Sequence, residues 1–238
     1  EIRFCDWSSD VCSSDLVTYA VLEHIADQKK FLNQIAEHLT PQGLFILSVP
    51  DCEAEIAGGD PAMLLHEHYY YFNSGGLTRG LQSAGFRIET IERSGYGRSL
   101  YVAARPDPNV VVSTASTEER LGLEAFGRKC ELHVRAVARR SEQLAADNRT
   151  LGIYCPSRAL AVLQPDMQMR FFDDAPELHG KFYPPFPVPI EDRKALLASP
   201  PDELWIMSRT FGPRLAQVLR PDLGATRIVL MEELLGEQ

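Results

Sequence analysis

The chain has no GxGxG string anywhere in its 238 residues, although it carries 16 glycines. A glycine loop of that kind lets backbone approach a nucleotide-type cofactor closely, and this chain does not encode one. Its cysteines are five, an odd number, and Cys5, Cys12, Cys52, Cys130 and Cys155 form no CxxC or other metal-ligand spacing. That pattern argues against a zinc site or a disulfide framework and for reduced thiols in a cytoplasmic protein. Basic charge is in deficit, with 24 Lys and Arg against 33 Asp and Glu, a net charge of −9. A nucleic-acid partner is therefore not expected. No apolar run reaches the length of a membrane span, so no membrane partner is expected either. What remains is ordinary globular composition, 45% hydrophobic and 24% charged, long enough for one large or two small domains. Either a monomer or a homodimer fits this charge and length.

What is present is organised around residues 17–51. Residues 17–21 are a β-branched and aromatic run, which predicts a strand. Asp27 is placed to cap a helix, and Phe31, Leu32, Ile35, Ala36 and Leu39 follow at helical spacing. Thr40-Pro41-Gln42-Gly43 predicts a stop, and residues 44–49 a continuous apolar strand ending at Pro50-Asp51. Strand, helix and buried strand make a βαβ unit. Ligands of open α/β sheets bind beyond the carboxyl ends of the strands, here residues 19–25 and 50–52. The string VLEHIADQKKFLNQIAEHLTPQGLFILSVPD resembles the second half of a class I S-adenosylmethionine-dependent methyltransferase. In that family VLEH follows the fourth strand, and a turn of the pattern L.PGG precedes the fifth. The resemblance implies S-adenosylmethionine as cofactor, bordered by Tyr19, Ala20 and His24.

Residues 6–16, DWSSDVCSSDL, resemble a translated sequencing adapter, so residues 1–16 are expected to be foreign to the natural protein. A complete methyltransferase carries its glycine-rich loop and a ribose-binding acid upstream of this point. The expectation is a fragment whose cofactor site is incomplete.

Residues 52–63 predict a loop, with turn residues Gly58-Gly59-Asp60-Pro61. Next come His66, Glu67 and His68, then Tyr69, Tyr70 and Tyr71. Histidine transfers protons near neutral pH, and an adjacent carboxylate can orient it. In an extended segment His66 and His68 share a face and Glu67 points away. This stretch resembles the HEH motif of sugar methyltransferases acting on nucleotide-linked deoxysugars. The resemblance implies a small-molecule sugar or nucleotide-sugar substrate, His68 as general base and Glu67 as its support. His66 and Tyr69 are implied to face the substrate. C-methylating members carry a tyrosine just before the motif; Leu65 stands here, which puts C-methylation of a keto-sugar in doubt and leaves O-methylation open. His66-x-His68 is also a metal half-site, but no third ligand is evident and no metal is assigned. A structural role under an aromatic lid is the further alternative.

Residues 77–84 predict a short helix closed by Gly85, and 86–93 with 98–104 an antiparallel hairpin. Tyr96 and Arg98, in its turn, are candidate substrate contacts. Residues 107–116 read as a linker. Ser116-Thr117-Glu118-Glu119 opens a helix along 121–144. From residue 150 strands and helices alternate again, predicting a second parallel sheet. This half resembles the Rossmann-like C-terminal domain fused to the same sugar methyltransferases, although its first loop, Cys155-Pro156-Ser157-Arg158, has no glycine to cradle a pyrophosphate.

The expected architecture is thus α/β: a truncated Rossmann-like methyltransferase sheet (17–106), a linker and helix (107–149), and a second Rossmann-like domain (150–238). The expected activity is methyl transfer to a sugar. The rivals are a non-catalytic Rossmann-like binding or scaffold protein, and a methyltransferase acting on another small molecule.

Overall fold

The computed structural model describes residues 13–65, 67–95, 98–209 and 211–236. The chain divides into two compact units. One comprises Glu1–Ile56 and Glu67–Leu123, the other Ala57–His66 and Glu124–Gln238. The architecture is mixed α/β throughout.

In the first unit, β1 (Ser13–Tyr19) and β2 (Leu39–Pro50) run parallel, with α1 (Gln28–His38) between them in sequence. The Asp27 side chain accepts the Lys30 amide at 3.0 Å, so the predicted cap closes the first turn of α1. Phe31 and Leu32 are the buried pair on its inner face. The predicted stop at residues 40–43 is absorbed into β2 as a bulge, since Ser13 pairs with Leu39 while Asp15 already pairs with Leu44. Gly43 is needed there: a Cβ would lie 2.6 Å from the Ser14 carbonyl oxygen. The hairpin of β3 (Phe86–Arg93) and β4 (Ser99–Pro106) completes the sheet, in the order β1-β2-β4-β3, with β4 antiparallel to both neighbours. Phe45, Leu47 and Val49 alternate inward along β2, while Ile46 lies outward. They meet Leu32, Leu77, Leu81, Phe86 and Leu100 in one core. Leu77 and Leu81 come from α3 (Ser74–Ser83), capped by Asn73, whose Oδ1 accepts the Gly76 amide at 2.7 Å.

The loop expected over residues 52–63 is instead α2 (Glu53–Gly58) followed by a 3-10 turn, Pro61–Leu65. The proline and glycines that suggested a loop sit at the joint between the two. The Asp60 carboxylate accepts the Ala62 amide at 2.9 Å and so starts the second turn.

The long α4 (Thr117–Ala146) begins with a reciprocal cap. The Ser116 hydroxyl accepts the Glu119 amide at 3.1 Å, and the Glu119 carboxylate accepts the Ser116 amide at 2.7 Å. In the second unit β5 (Leu151–Tyr154), β6 (Arg170–Phe172), β7 (Ile190–Glu191), β8 (Glu203–Ile206) and β9 (Arg227–Leu230) form an all-parallel sheet ordered β7-β6-β5-β8-β9. Its central strands β5 and β8 are buried on both faces, as is usual for a parallel sheet. The short α5 (Arg193–Ala198), α6 (Gly212–Leu219) and α7 (Met231–Leu235) complete the unit. The chain after β5 forms only a 3-10 turn, Pro156–Ala161, where the alternating pattern predicts a helix. No helix among the described residues is long and apolar enough to cross a membrane.

Candidate active site

The carboxyl ends of β1 and β2 lie side by side. Tyr19 pairs with Ser48, and the Ala20 amide donates to the Ser48 carbonyl at 2.9 Å. Ala20 has φ +51°, a left-handed conformation that costs a non-glycine residue energy and turns the chain sharply off the strand. Tyr19 is left exposed. The 3-10 turn Leu22–His24 follows, anchored by Leu22 in the core.

This turn meets the HEH segment. His24 Nδ1 lies 3.0 Å from the Glu67 carbonyl oxygen, so that nitrogen carries the proton and donates it. The Tyr69 amide donates to the Glu23 carbonyl at 2.9 Å, and the Tyr70 hydroxyl to the Ala26 carbonyl at 3.1 Å. These three bonds hold residues 67–70 along the turn. The His68 ring stands edge-on to His24, with centroids 4.7 Å apart and planes at 78°, and its centroid is 6.0 Å from that of Tyr71. Tyr70 stacks on Phe72, whose carbonyl accepts the Cys52 amide at 2.7 Å.

The structure therefore brings together His24, Glu67, His68 and Tyr69, with Tyr19 and Ala20 a few residues earlier in the chain at the tip of β1. Glu67 enters through its carbonyl oxygen, with its carboxylate exposed; Tyr69 is exposed as well. Arg98 lies beside the tip of β2. It has φ +48°, its carbonyl accepts the Asp51 amide at 2.8 Å, and its guanidinium pairs with Glu55. His66 and Tyr96 lie outside the described residues.

One residue of this site was not singled out from sequence. Glu23 is 1% exposed, and its Oε2 is buried with no hydrogen-bond partner among the described residues. One donor atom from each of Glu23, His24 and His68 falls within 4.8 Å of the others. The available signal was a charged residue inside the apolar turn VLEH, directly after a strand. Nearby, Cys52 is buried, and its thiol is pushed up to about 11, first by burial and then by the Glu55 carboxylate. Tyr71 is raised for the same first reason, with the charge of Cys52 adding to it.

The second unit offers less. Ligands of such sheets sit where the strand order reverses, which is between β5 and β8. There the chain turns through Cys155 at φ +57°. The Pro61–Leu65 turn packs on the Pro156–Ala161 turn, and buried Asp60 pairs with Arg209 at 2.8 Å. A segment of the chain itself thus occupies the switch-point side of this sheet. A cavity of about 770 Å³ lies instead between the end of α4 and the amino ends of β5 and β6. Its most prominent cation, Arg170, is already paired with Glu191.

The residues present fit the methionine-side wall of a methyl-donor pocket only in part. A strained turn, exposed Tyr19 and a histidine pair lie at two adjacent strand tips, and no glycine loop faces them among the described residues. Residues 16–91 match the family model described as a methyltransferase domain. Over 212 residues the chain is 26% identical to the C-methyltransferase NovU of Streptomyces niveus, covering 81% of this chain and 50% of that protein. Over 89 residues it is 33% identical to a probable S-adenosylmethionine-dependent methyltransferase of Mycolicibacterium smegmatis, covering 37% of this chain and 33% of that one. The chain spans about half the length of the first of these relatives and a third of the second. Its first unit is consistent with a Rossmann-like methyltransferase fold, and the methyl donor that these similarities imply is S-adenosylmethionine.

Proposed function

We propose that this chain is part of an S-adenosylmethionine-dependent methyltransferase acting on a nucleotide-linked sugar, and that the acceptor is a carbon beside a ketone. The observation that carries the reading is the His24–His68 pair at the tip of β1, on the carboxyl side of the sheet. The 26% identity to a C-methyltransferase, which runs across both units, favours carbon over oxygen despite Leu65.

The donor, when bound, supplies an electrophilic methyl group on a sulfonium. The chain's residues do the rest. Forming a carbon–carbon bond requires removal of a proton from the acceptor carbon, and a positioned imidazole is suited to that at neutral pH. His68 takes this proton. Glu67 supports it by fixing His24 through its carbonyl. Tyr19 and Ala20 border the methyl donor. Tyr69 and Arg98, with His66 and Tyr96, contact the sugar. Transfer itself is mainly a matter of holding acceptor and methyl in line. The described residues supply one wall of the donor pocket.

The test is wash-in of solvent deuterium at the carbon beside the ketone of a nucleoside-diphosphate-linked keto-sugar, read by NMR. This needs the base but no methyl donor. The chain is expected to catalyse exchange and His68→Asn to lose it by about 10²-fold or more. Methyl transfer to oxygen by the full parent protein, with no exchange, would overturn the assignment of a carbon acceptor.

A further inference from the structure

We propose that Glu23, His24 and His68 bind a single divalent ion of the zinc or cobalt class. Three independent features point there. First, the Glu23 carboxylate is buried, with Oε2 unpartnered among the described residues. A carboxylate oxygen removed from water demands a compensating positive charge or donor. Second, His24 gives its Nδ1 proton to the Glu67 carbonyl at 3.0 Å, which leaves Nε2 as its lone-pair nitrogen. Ligating histidines are oriented in just this way, by a carbonyl or carboxylate behind the ring. Third, a donor atom from each of the three side chains lies within 4.8 Å of the other two. An ion with bonds of ~2.1 Å draws its ligands to ~3.4 Å apart, so closure asks for side-chain rotations of about 1 Å.

The donor set selects the ion. Two imidazoles and one carboxylate suit borderline transition ions. Magnesium and calcium take oxygen ligands, and copper(I) takes thiolate or thioether. The third ligand that His66-x-His68 lacks as a sequence pattern is supplied by residues more than forty positions away. The inference does not depend on methyl transfer, because binding needs no donor and no sugar. It also bears on that reaction, since an ion on His68 occupies the lone pair that would accept a proton.

The test strips the chain with a chelator and titrates it with Co²⁺ and Zn²⁺. The readouts are the cobalt ligand-field absorption and competition with a chromophoric chelator. The expected result is one equivalent bound with nitrogen and oxygen ligation. Affinity should fall ~10-fold or more in Glu23→Gln and in His68→Ala and stay unchanged in His38→Ala, a histidine on α1. Circular dichroism melts without metal establish that both variants fold. Absence of one-equivalent binding overturns the proposal. So does binding that both variants retain, or a thiolate charge-transfer band showing that cysteine is the ligand. The deuterium-exchange test is run on the chelator-stripped chain, so failure of metal binding and failure of proton abstraction by His68 are read separately.

Discussion

Glu203 is the buried charge on which the second unit's core is built, and removing it gives a quantitative test. It lies at the start of β8, fully buried, and accepts from Arg140 Nε at 3.0 Å and from Trp205 Nε1 at 2.8 Å. Glu203→Ala leaves the indole N–H buried without an acceptor, which costs about 1–3 kcal/mol. It also leaves the Arg140 guanidinium unpaired. Breaking a buried pair in this way costs about 3–5 kcal/mol in total. The Arg140 side chain is 28% exposed and regains some water, so the lower end, about 3 kcal/mol, is expected. With a urea slope of about 2 kcal/mol/M, the midpoint of the second unit should fall by about 1.5 M. Trp205 fluorescence reports this locally if the other tryptophan, Trp7, is replaced by Phe. The pH dependence is a second readout. Burial pushes the Glu203 carboxyl up, but the Arg140 and Trp205 hydrogen bonds together outweigh it, and the group is held below its ordinary range. Its contribution is therefore present above the unfolded value of about 4.3 and is lost as pH falls through the folded one. Glu203→Gln should flatten that acid limb. A midpoint shift under 0.5 M in Glu203→Ala, or an unchanged acid limb in Glu203→Gln, would refute the reasoning.

Three further outcomes are expected. Gly152→Ala in β5 places a Cβ 2.9 Å from Pro201 Cγ and 3.0 Å from both Leu204 Cδ1 and Phe172 Cε2; overpacking there should cost about 1–3 kcal/mol in a thermal or urea melt. Asn73→Ala removes the cap of α3 and should cost about 1 kcal/mol, with faster amide exchange confined to the first turn of that helix. Native Cys52 and Cys155 should resist iodoacetamide at neutral pH, because burial is the first cause raising their thiols, to about 11 and about 12. Peptide mass spectrometry should show both alkylated only after unfolding.

Local periodicity and caps carried most of the fold. Asp27, the apolar spacing through α1 and the run 44–49 specify a βαβ unit because their information lies within one or two turns of chain. The alternation along β3 and the Ser116–Glu119 box behave in the same way. Residues 52–63 were misread for the same reason: Gly58, Gly59 and Pro61 mark a joint, and a joint between two short helical turns has the composition of a loop.

By itself, then, the sequence determined the βαβ unit, the β3–β4 hairpin and the long helix after Ser116, whose signals are local. Only the tertiary structure decided which carboxylate lies buried beside them. Glu67 is adjacent to His68 in the chain but contributes its carbonyl, whereas Glu23, next to His24, comes within reach of His68 from 45 positions earlier in the chain. Burial and through-space distance are properties of the packed sheet, and no local pattern encodes them.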